Sequence, residues 1–373
     1  MRKKLGDITF KIVVGIVSSV IFISAIYYAN DGFFASQDQL KSVHETVRVT
    51  EVIGVQIEAN ENGIVQGEMR LIVEVTTGLM RGEMFKVTYY LNQLTSSKVE
   101  VGDHFAVRMT IDDGQILSLQ IQNPERRGAV LVIFIVFLII LGALGGKKGL
   151  LAVASLVFTL ICIIFLLIPL ILQGYPVILT TFLILGLVTI VSITCVAGLK
   201  SKGISALIGC LVGLLITAIL THFAGHLAHI SGFHMEEVGL ILATTNFPLS
   251  QASGLFISGV LIAALGAILD TAMTISSTIY ELRVSNKKMS LGRLFRSGMN
   301  VGRDTMGTMT TTLILAFAGT SFNMLILIYS GGVDFNQLIN SNFIVIEIIR
   351  SIAGSLGIIL TIPVVALVSC VLE

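Results

Sequence analysis

The chain has 373 residues, 54% of them hydrophobic and 13% charged, with a net charge of +1 and a mean hydropathy of +0.91. Soluble domains carry about 25% charged residues, so a soluble globular protein is excluded, and no basic patch interleaved with aromatics points to nucleic acid. The four cysteines, Cys162, Cys195, Cys210 and Cys370, lie far apart inside apolar runs with no CxxC, which supports neither a zinc knuckle nor a redox pair.

Residues 1–30 open with Arg2, Lys3 and Lys4 and continue into an apolar run at 12–28. The outline is that of a signal peptide, but the run lacks a small-x-small cleavage signature at 26–30, so an uncleaved first span is expected. Residues 31–127 change texture, with 9 Lys and Arg against 14 Asp and Glu and no cysteine. Apolar and polar residues alternate at 45–52, 69–75, 84–91, 104–111 and 116–121, between turn signals at 60–63, 101–103 and 112–114. Period-2 alternation between such turns predicts antiparallel strands with one buried face. A small extracytoplasmic β-barrel or sandwich of OB-like or SH3-like build is expected. The Asp112-Asp113-Gly114 turn lacks EF-hand spacing and reads as a hairpin.

From residue 128 to the C-terminus the chain reads as a seven-span helical membrane domain, since a hydrocarbon core of ~30 Å needs ~20 apolar residues per helix. The expected spans are 129–144, 150–172 with Pro169 near its end, 178–197, 204–220, 254–279, 311–329 and 343–372, the last broken by Pro363. With the first span, that makes a polytopic protein of about eight helices. Short-loop Lys and Arg accumulate on the cytoplasmic side. With the N-terminus inside, the inner segments collect Lys147, Lys148, Lys200, Lys202, Arg283, Lys287, Lys288, Arg293, Arg296 and Arg303, while the outer loops 173–177, 229–237 and 331–342 carry none. Both termini are therefore expected in the cytoplasm, with the protein in the plasma membrane and the bilayer as its first partner.

Charges inside spans are costly, at least ~2.5–3.5 kcal/mol on insertion scales, and mark functional candidates. Asp270 sits mid-span, and Gly266, Thr274 and Ser277 share its helical face. The helix is rich in Gly and Ala and is expected to pack centrally. Asp270 reads either as part of a polar path or as interhelical glue. Glu347 and Arg350, one turn apart, pair either as a packing device or as a gate. The segment 297–312, with Gly302, Arg303, Asp304, Gly307, Thr308 and Thr311, reads as a cytoplasmic vestibule presenting N–H groups and hydroxyls, or as an interfacial helix on anionic lipid. A broken or re-entrant element is expected at 234–252, where 246–248 would stop a helix. His222, His226 and His229 share a helical face and are weak zinc candidates; outer-end histidines at the interface are the plainer reading, and no metal or other cofactor is expected. No Walker, protease or other catalytic motif occurs, so the chain is not read as an enzyme.

Three stretches carry a resemblance. Gly266-Ala267-Ile268-Leu269-Asp270-Thr271-Ala272-Met273-Thr274-Ile275-Ser276-Ser277, then residues 302–316 from Gly302-Arg303-Asp304-Thr305 to Ala316, then Glu347-Ile348-Ile349-Arg350-Ser351-Ile352-Ala353-Gly354-Ser355 resemble the YibE/F-like membrane proteins. The outer domain resembles that of the longer, YibE-type member. The resemblance implies a multi-pass, permease-like component without a defined substrate. It also implies a partner, a shorter relative lacking the outer domain; a homo-oligomer is the alternative expectation. Two function classes follow: a transport component with a polar path around Asp270, or a receptor or assembly scaffold that binds through the outer domain.

Overall fold

A computed structural model of the chain describes residues 23–30, 41–59, 65–78, 80–91, 99–112, 115–198, 200–230, 232, 235–245 and 247–372. The expected first span at 12–28 is thus described only from residue 23, and the turn at 60–63, Asp113, Gly114, His234 and Asn246 lie outside the described residues. The chain forms two compact units, one of residues 31–140 and the other of residues 1–30 with 141–373.

The first of these units is a curled antiparallel sheet. Its strands are β1 (Lys41–Ala59), β2 (Val65–Val75), β3 (Met84–Leu91), β4 (His104–Asp112) and β5 (Gln115–Pro124), in the order β3-β2-β1-β4-β5. The 19-residue β1 serves both halves. It pairs with β4 from Lys41 to Arg48 and with β2 from Val47 to Ala59. Register shifts between Val49 and Glu51 and between Val52 and Gly54 bend it, as bulges do, and the edge strands β3 and β5 approach each other. The result is a half-closed five-stranded barrel with OB-type strand order. The alternation expected from the sequence is what fills it: Val47, Val49, Met69, Leu71, Val73, Val75, Val87, Tyr89, Phe105, Val107 and Met109 are buried in one core. Expressed alone, residues 31–127 should be soluble, give a β-type circular dichroism spectrum and unfold cooperatively with no dependence on reductant. A helical spectrum would overturn the strand assignment.

Residues 127–140 of the first unit, and the other unit, are helical. The run α1, Arg127–Leu172, is not one rod: Gly146 is non-helical at φ 54° and ψ −137°. A Cβ at Gly149 would overlap the Leu141 carbonyl, although residues eight apart on a straight helix stand ~12 Å apart. The chain therefore folds back at Gly146, between the spans expected at 129–144 and 150–172. Farther on, Pro169 has no N–H for the Phe165 carbonyl, and the helix widens into a π-turn at Ile163–Leu167. Asn30 Nδ2, from the helical segment 23–30, donates to that carbonyl at 2.8 Å. Gln173 Nε2 donates to the Ala29 carbonyl at 2.7 Å, and the Tyr28 and Tyr175 hydroxyls meet at 3.4 Å. That hydroxyl contact raises the Tyr175 phenol above its ordinary value.

The remaining helices are α2 (Val177–Ala197), α3 (Ser201–Leu227), α4 (Glu236–Thr244), α5 (Ala252–Ser285), α6 (Leu291–Thr320), α7 (Phe322–Ser330), α8 (Phe335–Ile339) and α9 (Asn342–Leu372). Among the described residues, five helical runs are long and apolar enough to cross a bilayer, or six if α6 and α7, bent by 57°, form one span. Large apolar side chains such as Leu183, Ile219, Phe223, Leu327 and Leu367 cover the outside, as a lipid-facing surface requires.

Two expected boundaries change. The span expected at 311–329 belongs to a helix that starts twenty residues earlier, at Leu291, and breaks at Ser321. Gly319 precedes the break and the Thr320 hydroxyl bonds back to the Phe317 carbonyl at 2.8 Å, the Gly/Ser-type chemistry of helix kinks. The break expected at Pro363 does not occur, and α9 runs through it. Neighbouring helices let membrane helices tolerate such a proline.

α5 is the central helix, packed against α2, α3, α6 and α9. Its neighbours α3 and α9 run antiparallel in close contact, and four residues set the fit. A Cβ at Gly213 would overlap Thr361 Oγ1, and a Cβ at Gly357 would overlap Thr217 Oγ1. Each threonine hydroxyl donates to the glycine carbonyl of its own helix, Thr217 to Gly213 and Thr361 to Gly357, both at 2.8 Å. The hydroxyls are thereby satisfied within buried surroundings, and the helices approach as small-residue interfaces in lipid do.

Candidate intramembrane polar site

The site is built on α5. The helix begins after Pro248 and a short 3-10 turn at Leu249–Gln251. Gln251 anchors this end: its Oε1 accepts from Val177 N at 2.9 Å and its Nε2 donates to the Gly174 carbonyl at 3.2 Å. One face of the helix, with Val260, Leu261, Ala264, Ile268, Ala272, Ile275 and Ile279, is buried in the bundle. The opposite face carries Gly259, Ala263, Gly266, Asp270 and Thr274, all exposed, and Ser277 is half-buried beside them. The central packing expected of this helix is found. The polar stripe, however, is exposed, so no interior path closes around Asp270 among the described residues. Asp270 lies eleven residues before Glu281, about 16 Å along the axis, and makes no hydrogen bond or ion pair among the described residues.

Glu347 and Arg350 form the expected pair, with Arg350 Nη1 donating to Glu347 Oε1 at 2.6 Å. Their side chains are only 15% and 20% exposed. The guanidinium lies 5.8 Å from the Phe256 ring centroid and 3.7 Å from Met235 Sδ. Glu347 Oε2 and Arg350 Nε are buried without a hydrogen-bond partner among the described residues. Phe256 stands fourteen residues from Asp270 on α5, about 21 Å along the axis, so the pair and Asp270 are separate features.

The segment expected as a vestibule is helical throughout. Its peptide N–H groups are committed to the helix, not free for an anion. Gly302 is buried, where a Cβ would overlap Ile362, and Gly298 sits against Ile279 and Ala366. Arg303, Asp304, Gly307, Thr308 and Thr311 are exposed along α6. Thr308 donates to the Thr305 carbonyl at 2.9 Å. The register set by Gly298 against Ile279 and Gly302 against Ile275 brings Asp270 level with Gly307. Gly213, Gly298 and Gly357 were not singled out from the sequence, and Gly302 was expected in a vestibule, not in packing, although their spacing of four from a Gly or Thr partner is the available signal.

The histidines do not converge. α3 ends at Leu227, and His229 adopts φ 52° beyond it, while the Ile230 N–H closes on the Gly225 carbonyl at 2.8 Å. This is a left-handed helix stop, so the shared face is limited to His222 and His226. Among the described residues no group of three metal-ligating side chains forms. α4 is followed by an extended Thr245, which agrees with the interruption expected near 246–248.

No curated protein and no solved structure is detectably similar to the chain. The family model described as YibE/F-like protein matches residues 133–373. With apolar helices of spanning length over that stretch, the chain is a membrane protein belonging to the YibE/F-like family.

Proposed function

We propose that the chain is a permease-type transport component of the plasma membrane, with a polar intramembrane path that runs by Asp270, Thr274 and Ser277. The observation that carries this reading is Asp270 itself, a carboxylate near mid-span that none of the described residues pairs. An intramembrane acid of that kind is by default a pathway residue. The exposed Arg303, Asp304, Gly307, Thr308 and Thr311 on α6 extend the polar surface toward the basic end of the bundle, and the Glu347–Arg350 pair braces the opposite end. No ATPase motif occurs, so transport is ion-coupled, passive or driven by a partner.

In this reading the chain has eight spans with both termini in the cytoplasm. Six spans come from the runs described with α6–α7 as one, a seventh from the reversal at Gly146, and an eighth from 12–28. Reporter fusions or cysteine accessibility should place residues 31–127 and 331–342 outside and Lys200 and Lys287 inside. A reporter at Arg293 active on the outer side would sink this topology.

Reconstitution into liposomes, with a panel of ion and small-solute flux assays, tests the function. Asp270→Asn keeps shape and most hydrogen bonding but removes the charge. It should abolish flux while the protein still inserts and accumulates. If Asn supports full flux, the carboxylate is glue, since buried polar contacts in lipid average only ~0.6 kcal/mol. The second reading, a receptor or assembly scaffold, then leads. Its supporting observation is the OB-type barrel, which exposes Met84 and Tyr90 on β3, a strand of the face such barrels use for binding.

A further inference from the structure

We infer that the exposed face of α5 is covered by α6 of a second copy of this chain, in a two-fold dimer whose axis runs along the bilayer normal. The inference goes beyond the transport reading, which concerns what passes Asp270 and not what covers it.

It starts from the glycines. Gly213, Gly298, Gly302 and Gly357 each sit where a Cβ would run into a neighbouring helix. Gly259 and Gly266 do not: a Cβ at either meets nothing within 4 Å. A glycine inside a helix costs roughly 1 kcal/mol relative to Ala, and lipid gives nothing back for it. The face that holds these two glycines also holds Ala263, whereas exposed positions on α2, α3 and α9 such as Leu183, Ile219, Phe223 and Leu367 carry large apolar side chains. Close approach of another helix is what small residues at such spacing provide.

Charge and depth then select the occupant. A two-fold axis along the normal leaves depth unchanged, so the register inside one copy carries over to the pair. Asp270 is level with Gly307, which is likewise open on α6, with no atom within 4 Å of a Cβ placed there. Thr311 lies about a turn from that level and offers a hydroxyl donor, that of Thr308 being given to the Thr305 carbonyl, and the exposed Arg303 one turn deeper, next to Asp304, offers a cation. Higher up, Ala263 is level with Ile314, and Ile314 and Leu315 are exposed on α6. Large side chains of α6 thus face hollows of α5, and donors face the lone carboxylate. Packing α5 on α5 would instead set the two Asp270 carboxylates against each other at mid-bilayer, where like charges are costly. The fit is isologous, with each copy giving one α5 and one α6.

Differently tagged copies, one carrying Ala263→Cys and the other Ile314→Cys, should form a two-tag disulfide dimer when oxidised in native membranes. Either single variant expressed with itself, wild type, or a copy with Leu183→Cys on the lipid face of α2 should not. Gly266→Leu, which meets only open space within its own copy, should accumulate at the wild-type level yet lower the crosslinked fraction at least tenfold and run as a monomer in lipid nanodiscs. Three outcomes overturn the inference: crosslinking of Ala263→Cys to itself in preference to Ile314→Cys, a monomeric wild type in nanodiscs, or an unchanged dimer in Gly266→Leu. Each reads assembly alone, so a failed flux assay leaves the dimer standing and a failed crosslink leaves the flux result standing.

Discussion

Arg350→Met is expected to lower the stability of the detergent-purified protein by about 3–5 kcal/mol, the usual cost of removing one partner from a buried ion pair. The guanidinium touches Glu347 Oε1 at 2.6 Å in surroundings that leave each side chain at most 20% exposed. Without it the Glu347 carboxylate stays buried with neither oxygen paired, and the stacking on Phe256 is lost as well. The double variant Glu347→Leu/Arg350→Met should recover most of that loss, because apolar residues of similar volume replace buried pairs at little cost. Thermal unfolding in detergent, with accumulation in membranes as a second readout, measures both. An Arg350→Met protein as stable as wild type would mean that water solvates the pair, and a double variant no better than the single would assign the pair an active role in holding α9 against α4 and α5.

The second large effect belongs to the α3–α9 contact. Gly213→Leu and Gly357→Leu each drive a side chain into a buried threonine of the other helix, and overpacking of that kind costs about 1–3 kcal/mol or more. Gly266→Leu, the same change on an open face, should cost the protomer far less. Adding Thr361→Gly to Gly213→Leu should return part of the loss, with a coupling of about 0.5–3 kcal/mol between contacting sites. If Gly213→Leu unfolds at the wild-type temperature, the two helices do not meet as described. Equal losses for Gly213→Leu and Gly266→Leu would show that leucine itself, and not the contact, is what the bundle rejects.

Much of this architecture can be read from residue order. The strands of the sheet unit follow from alternation, because a half-buried sheet has a side-chain period of two; Met69, Leu71, Val73 and Val75 all land in the core. The apolar helices follow from run length. The start of α6 does not, because residues 291–310 are polar enough to resemble a connector, and Gly298 and Gly302 become legible as helix only through the neighbours they touch. Pro363 misleads for the same reason: the proline rule is local, while the restoring contacts come from other helices. At the site, helical spacing correctly gathers Gly266, Asp270, Thr274 and Ser277 on one side. It cannot say which way that side faces, since in a bilayer small residues mark a contact without naming the contacting chain. His229 shows a further limit, because periodicity extends a helix face past the residue where the backbone turns left-handed.

The reciprocal fit of Gly213 and Thr217 with Gly357 and Thr361 also bears on how such a chain drifts over generations. Most core positions tolerate a small enlargement if a flexible neighbour yields. Here the neighbour is a short β-branched side chain already bonded to its own backbone, and it has nowhere to move. A substitution on one helix therefore becomes acceptable only together with an answering one on the other, and two segments more than a third of the chain apart are bound to change in step. Lineages that diverge widely over the lipid-facing surface should accordingly show linked replacements at these four positions.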